Sequence, residues 1–304
     1  MVNAAGAWAD EVRRLRGAST APLLSLVNGT HIVTGAFAGA PERAIYHEAR
    51  ADRRPFFLVP WRDLWLIGTI ETPHVGDPDK VAPQPAEVEY LVRETNLLFP
   101  EARLTTDAVL YAYAGPRPLL RATSSNAQSM TREHGIYDHE KEEGVRGLVT
   151  LLGGKLTTAR AFAALALGEI AAKLGRPTPH RKAISVPDPV TAPSRLRAIY
   201  GCQAGAIVAL EKEQPELQRR LCAANATTAA EIVHAVQREK ARTLGDLLLR
   251  RTGAAFGPCL GLDCAPEAAL VAGPLLGWNE AATNRAVQDY HQELDRTLFR
   301  GTRP

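Results

Sequence analysis

The chain has 304 residues, 45% hydrophobic and 23% charged, with 24 glycines and 21 prolines. That is enough apolar mass for two compact domains, and it excludes disordered, collagen-like and coiled-coil classes. The formal net charge is +3, and its small excess lies along stretches such as REKAR and LLRRTG rather than in a patch, which argues against a nucleic-acid partner.

Val2 to Trp8 reads as the end of a strand, a small-residue turn and a helix start. Asp10 and Glu11 stand where a signal peptide would be apolar, and no apolar run reaches the roughly 18 residues of a membrane-spanning helix. The expected location is therefore cytoplasmic. From about 28 to 150 the pattern is mostly β. HIVTGAF, RAIYHEA, PFFLVPW and LWLIGTIE are rich in branched and aromatic residues, and Arg62-Asp63 between the last two reads as a hairpin turn. Pro85 opens a helix to about Leu98, with Val88, Leu91, Val92, Thr95 and Leu98 on one face. DAVLYAYAG predicts a strand ending at Gly115. After a polar loop at 123–129, HGIYDH and GLVTLLGG read as strands around an EEG turn. The helix ARAFAALALGEIAAKL follows, and the proline-rich stretch RPTPHRKAISVPDPVTAP marks a domain boundary. The remainder is helical, with a Thr228/Glu231 capping box and Asn279 capping a final amphipathic helix to about Phe299. The four cysteines (Cys202, Cys222, Cys259 and Cys264) lack zinc-knuckle spacing and read as buried or incidental thiols, with no metal expected.

Three features could carry chemistry. The run Gly153-Gly154-Lys155-Leu156-Thr157-Thr158, between a buried strand and a helix, gathers backbone N–H groups and a positive helix end where an anion or an electron-rich ring edge can bind. It lacks P-loop spacing, and a structural turn explains it equally well. Arg117, between Pro116 and Pro118, is a cation on stiffened backbone, and Arg132 opens a strand-like stretch. His31, at the head of a strand after Asn28-Gly29-Thr30, is the histidine best placed to face a site. Taken singly, each of these also reads as a surface charge or a structural residue.

In order along the chain, NAAGAW, NGTHIV, LVPW, LIGTIE, GDP, YAGPRPL, TRE and GGKLTTAR before a helical end resemble FAD-dependent glycerol-3-phosphate dehydrogenase of the aerobic, membrane-associated type. The resemblance covers nearly the whole chain. It implies oxidation of sn-glycerol 3-phosphate to dihydroxyacetone phosphate, with hydride passing from carbon 2 to FAD and electrons then passing to a quinone. It implies that His31 and Arg117 lie near the reacting carbon, either one able to serve as base, and that Arg132, Lys155 and Thr158 meet the substrate anion. Gly153, Gly154, Leu156 and Thr157 would face the flavin, and Asn3, Ala4 and Gly6 would line the rest of the cofactor site. Peripheral contact with the inner membrane face is also implied, and a homodimer is left open.

The chain departs from the family at several points. Glu71 stands where an aspartate is usual, and Ala5 and Ala7 occur in a turn that often reads N-A-T-G-P-W. The G-x-G-x-x-G fingerprint that holds the FAD pyrophosphate does not occur, so the chain reads as the C-terminal part of such an enzyme and is expected to bind FAD weakly or not at all by itself. Three alternatives stand beside this reading: an oxidase of the same fold that uses oxygen, an amine-oxidising flavoenzyme, and a relic or binding module that no longer holds flavin. The amine oxidiser is disfavoured, because three cations suit a phosphate better than a plain carboxylate. The expected fold is α+β. Residues 1–27 and 143–177 would form an α/β remnant of the FAD domain, 28–142 a mixed β-sheet over the substrate, and 178–304 an all-helical domain.

Overall fold

The computed structural model describes residues 1–15, 21–121, 134–178, 191–222 and 225–299. It divides into two compact units, residues 1–183 with 297–304 and residues 184–296. The expected polar loop at 123–129 and Arg132 lie outside the described residues, as does most of the proline-rich connector.

The first unit opens with β1 (Val2–Asn3) and α1 (Ala9–Arg14), followed by β2 (Leu24–Thr34), β3 (Ile45–Glu48), β4 (Pro55–Trp61) and β5 (Leu64–His74). Next come α2 (Pro85–Leu98), β6 (Val109–Leu120), β7 (His134–Asp138), α3 (His139–Glu143), β8 (Val149–Gly153) and α4 (Ala159–Lys173). A last strand, β9 (Leu298–Phe299), returns to this unit after the helices of the second. Six strands pair antiparallel in the order β3-β4-β5-β2-β6-β9, and a smaller sheet has the order β1-β8-β7, with β1 parallel to β8.

Local chemistry explains most of these elements. Arg62 and Asp63 both take positive φ, 50° and 65°, as a two-residue hairpin between right-twisted strands requires. Helix α2 starts at Pro85, where the missing N–H costs nothing, behind a Gln84/Glu87 capping box. Three expectations are corrected by pairing. First, β6 continues past Gly115 to Leu120, with Pro116 opposite Asn28 and Pro118 opposite Leu26. Strand β9 covers only Ala112 and Tyr113 on its other side, so both prolines sit on edge backbone that needs no donor. Second, the EEG segment is a short helix, α3, stopped by Gly144 at φ 70°. Third, β2 begins at Leu24 and runs unbroken past residue 27, which places His31 inside the strand rather than at its head.

Alternation along β2 separates two environments. Asn28, Thr30 and Ile32 face α2, where Ile32, Phe56, Leu58, Ile67, Val88 and Leu91 form the main core of this unit. Buried within it, the Glu87 carboxylate accepts from Asn28 Nδ2 at 2.9 Å, Thr30 Oγ1 at 2.6 Å, the Gln84 backbone N–H at 2.9 Å, and Thr72 Oγ1. The carboxylate thereby ties the N-terminus of α2 to β2 and β5. Glu87→Ala should destabilise the unit by about 3 kcal/mol, because several buried donors lose their acceptor together. Urea unfolding checks this, and a loss under about 1 kcal/mol would show the network to be dispensable.

The second unit contains α5 (Ser194–Tyr200), α6 (Ala204–Glu213), α7 (Ala229–Gln237), a π-helical turn at Asp246–Arg251, α8 (Ala265–Leu276) and α9 (Glu280–Thr297). The expected capping box forms on α7. Its Glu231 is fully buried and also accepts from Tyr200 Oη at 2.7 Å and from Arg195. Asn279 Oδ1 accepts from the Ala282 N–H at 2.9 Å and so starts α9, as expected. No helix among the described residues is long and apolar enough to cross a membrane.

Candidate active site

The sheet face opposite α2 carries the histidine and one of the arginines. The register sets His31 opposite Tyr113, Gly29 opposite Gly115 and Val27 opposite Arg117 on one side of β2, and His31 opposite Gly68 and Gly29 opposite Glu71 on the other. Side chains at paired positions share a face, so His31, Tyr113, Arg117 and Glu71 stand together over three glycines. The His31 ring stacks on Tyr113, with centroids 5.3 Å apart and planes 12° from parallel. Its other side lies over Gly68, where an added Cβ would come within 2.5 Å of His31 Cδ2. The Arg117 side chain crosses Gly29 in the same way, an added Cβ there meeting Nε at 2.8 Å, and its Nη1 pairs with Glu71 Oε1. The glycines provide the space in which the ring and the guanidinium lie flat against the sheet.

The electrostatics follow from that packing. Burial, and secondarily the positive charge of Arg117, push His31 down to about 4, so its imidazole is neutral at physiological pH. Its Nδ1 is buried and has no hydrogen-bond partner among the described residues. A buried polar nitrogen without a partner is costly in an apolar site and is suited to a ligand hydroxyl. Burial also pushes the Tyr113 phenol up, keeping it a neutral wall for the histidine.

The second candidate region is the carboxyl end of the small sheet. Because β1 runs parallel to β8, with Asn3 opposite Thr150, the Asn3–Gly6 turn and the Gly153–Thr158 turn leave the same sheet edge. That edge is where open α/β sheets bind ligands. Both turns need glycine: Gly6 has φ 57°, Gly153 64° and Gly154 87°. Asn3 is buried and spends its side chain on the protein, donating to Ala9 O at 2.9 Å and to Thr150 Oγ1 at 3.2 Å, and accepting from the Ala5 N–H. It shapes the turn. Ala4, Gly6, Lys155, Thr157 and Thr158 are exposed, and Leu156 is 95% exposed. The structure thus joins His31 to Arg117 and the Asn3 turn to the Gly153 turn. Lys155 is exposed at the Gly153 turn, and its backbone N–H donates to Thr158 Oγ1 at 3.3 Å.

A buried polar chain behind the turns had no signature in the sequence. Thr150 Oγ1 lies 2.7 Å from His139 Nε2, and His139 Nδ1 lies 3.0 Å from Glu143 Oε2. Arg13, itself buried, donates to Glu143 at 2.8 Å and to Asp10 at 2.6 Å, and Asp10 accepts from the Leu23 and Leu24 N–H groups. These residues come from four separate segments, and only folding assembles them. They lock β1, α1, α3 and the start of β2 around the strand that presents Gly153. Tyr113 and Gly68 were missed for a similar reason, since the register that pairs them with His31 is not legible locally.

Comparison with known proteins gives the family. Residues 1–174 match the family described as FAD dependent oxidoreductase, and residues 150–283 match the C-terminal domain of alpha-glycerophosphate oxidase. The chain is 33% identical to a glycerol-3-phosphate dehydrogenase of Synechocystis sp., over 98% of this chain and 59% of that protein. It is 29% identical to one of Mycobacterium leprae, over 100% of this chain and 54% of that protein. A crystal structure of the glycerol-3-phosphate dehydrogenase from Bacillus halodurans, complexed with FAD, superposes with a TM-score of 0.74 at 22% identity. That superposition covers 97% of this chain and 62% of the other, and it supports the fold. The chain spans little more than half the length of the curated relatives it matches throughout. With the family match extending over more than half of its residues, the chain belongs to the FAD-dependent oxidoreductase family, and its curated relatives there are glycerol-3-phosphate dehydrogenases.

Proposed function

We propose that this chain forms the substrate side, and part of the flavin side, of an enzyme that oxidises sn-glycerol 3-phosphate to dihydroxyacetone phosphate. The observation that carries the reading is His31, a neutral imidazole whose buried Nδ1 has no partner among the described residues and which lies beside Arg117. The fit to FAD rests on the paired turns at the carboxyl edge of β1 and β8. Gly153 and Gly154 allow close approach of a planar ring, exposed Leu156 offers it an apolar contact, and the N-terminus of α4 favours negative charge there. Ala4 and Gly6 would line the same edge. When bound, FAD supplies the hydride acceptor for carbon 2.

The chain's own residues supply the acid–base part. His31 Nδ1 takes the proton of the carbon-2 hydroxyl, and Arg117 stabilises negative charge developing on that oxygen. Glu71 holds the guanidinium by its ion pair and acts as a positioning residue. Burial, with the charge of Arg117 adding to it, keeps His31 deprotonated, so the base is ready before substrate arrives. This assigns the base to His31 and the electrostatic role to Arg117, a choice that residue order left open. On the sequence resemblance, we propose Arg132, Lys155 and Thr158 as the residues that meet the substrate phosphate.

The test is anaerobic addition of sn-glycerol 3-phosphate to the chain fused behind a dinucleotide-binding βαβ segment of a relative and loaded with FAD. Loss of the oxidised flavin absorption with glycerol 3-phosphate, but not with glycerol, is expected. Flavin that is bound yet stays oxidised would overturn the reading. In the same fusion, Lys155→Met should raise KM for glycerol 3-phosphate about tenfold to a hundredfold through loss of a charge-assisted contact. Because Lys155 is exposed, the melting curve should stay within about 0.5 kcal/mol of wild type. Wild-type KM would remove Lys155 from the site.

For the electron acceptor we propose a quinone, reached from the membrane surface. The match of residues 150–283 to an oxidase family favours oxygen as the second reading. Reoxidation rates of the reduced fusion with a soluble quinone and with oxygen decide between them.

A further inference from the structure

In the helical unit, two of the four cysteines and one aspartate meet at a single point with a third cysteine beside them, although their spacing predicted incidental thiols. Cys222 lies inside the segment closed by the Arg220–Thr228 bridge, while Cys259, Asp263 and Cys264 belong to the run of turns before α8. Leu260 and Gly261 take left-handed φ values of 52° and 70° in succession. This wraps the loop tightly enough for the Leu262 N–H to donate to Cys259 O at 2.9 Å. The ligand atoms of Cys222, Asp263 and Cys264 all lie within 4.8 Å of one another. Cys259, outside that group of three, has its Sγ 3.8 Å from Cys222 Sγ, and Asp263 Oδ1 is 3.5 Å from Cys222 Sγ. Cys222 and Cys264 are buried, Cys259 is partly buried, and Asp263 forms the exposed corner.

These separations fit a specific geometry. A tetrahedral zinc ion with bonds of about 2.3 Å to sulfur and about 2.0 Å to oxygen gives sulfur–sulfur edges of about 3.8 Å and sulfur–oxygen edges of about 3.5 Å. Both edges at Cys222 match. Thiolate-rich sets select soft or borderline cations over magnesium or calcium, and Cys264, as N-cap of α8, places its sulfur where the helix dipole favours negative charge. We propose that Cys222, Cys259, Cys264 and Asp263 bind one Zn²⁺. Binding forms three Zn–S bonds and one Zn–O bond and releases the three thiol protons to solvent. With four protein ligands the site is closed, so its role is to staple the 252–264 loop to the segment at Cys222 rather than to activate water. The proposal is independent of the flavin chemistry.

The test uses the purified full chain. Elemental analysis should find about one zinc per chain, and a chelator should lower Tm. Adding Co²⁺ to the stripped protein should produce thiolate-to-cobalt absorption in the near ultraviolet and the visible bands of a tetrahedral ion. Cys222→Ser and Cys264→Ser should each remove that spectrum, Asp263→Asn should weaken cobalt affinity about tenfold or more, and the exposed Cys202→Ser should change nothing. The cobalt spectrum of the wild-type chain decides the matter even where a variant fails to fold. Four freely titrating thiols with no cobalt spectrum would overturn the proposal, as would a Cys222–Cys259 disulfide seen as the loss of two hydrogens in intact mass.

Discussion

His31→Ala in the flavin-loaded fusion should lower turnover with glycerol 3-phosphate about a thousandfold, within the range that a positioned general base contributes. The ring lies between Tyr113 and Gly68, and no other histidine among the described residues takes part in that packing. The pH profile gives an independent reading. The reactive form is the neutral imidazole, and burial together with Arg117 holds its pKa at about 4. The wild-type rate should therefore persist well below 6.5 and fall only as the pH drops through about 4. Stability should show the same sign. The unfolded chain takes up this proton at about 6.5 and the folded chain only at about 4, so the native state loses stability as the pH falls across that window. His31→Ala should remove that part of the slope. A rate profile breaking at 6.5, or turnover within threefold of wild type, would exclude His31 as the base.

Arg117→Ala should lower kcat/KM about tenfold to a hundredfold, the value of one charge-assisted contact to a developing oxyanion. A second effect distinguishes this role from a purely structural one. Removing the guanidinium removes one of the two causes that depress His31, while burial, the larger cause, remains. The acid limb of the rate profile should then move up from about 4 and stop short of 6.5. Glu71 loses this ion pair as well. Arg117→Lys should restore the position of the limb more fully than the rate, because an ammonium supplies the charge without the planar fork held across Gly29. An unmoved limb in Arg117→Ala would separate the two residues and end their assignment as one unit.

Much of this protein was determined locally. The α2 start at Pro85, the Arg62-Asp63 hairpin, the Thr228/Glu231 box, the Asn279 cap and the strand–GGKLTT–helix unit each depend on residues within a few positions of one another, and each is legible in the sequence. The ordered motifs likewise carried the family. Pairing decided the rest. Whether β6 stops at Gly115 or crosses two prolines depends on which edge β9 covers, and β9 arrives from the far end of the chain. His31 became a neutral base candidate only when the register set it against Tyr113 and Gly68 and laid Arg117 across Gly29. The same holds for the polar chain from Asn3 to Asp10 and for Cys222, Asp263 and Cys264, which stand up to 42 residues apart in sequence but within 4.8 Å in space. Caps, turns and amphipathic faces depend on near neighbours. Desolvation, strand register and ligand convergence are set by residues that only the tertiary fold brings into contact.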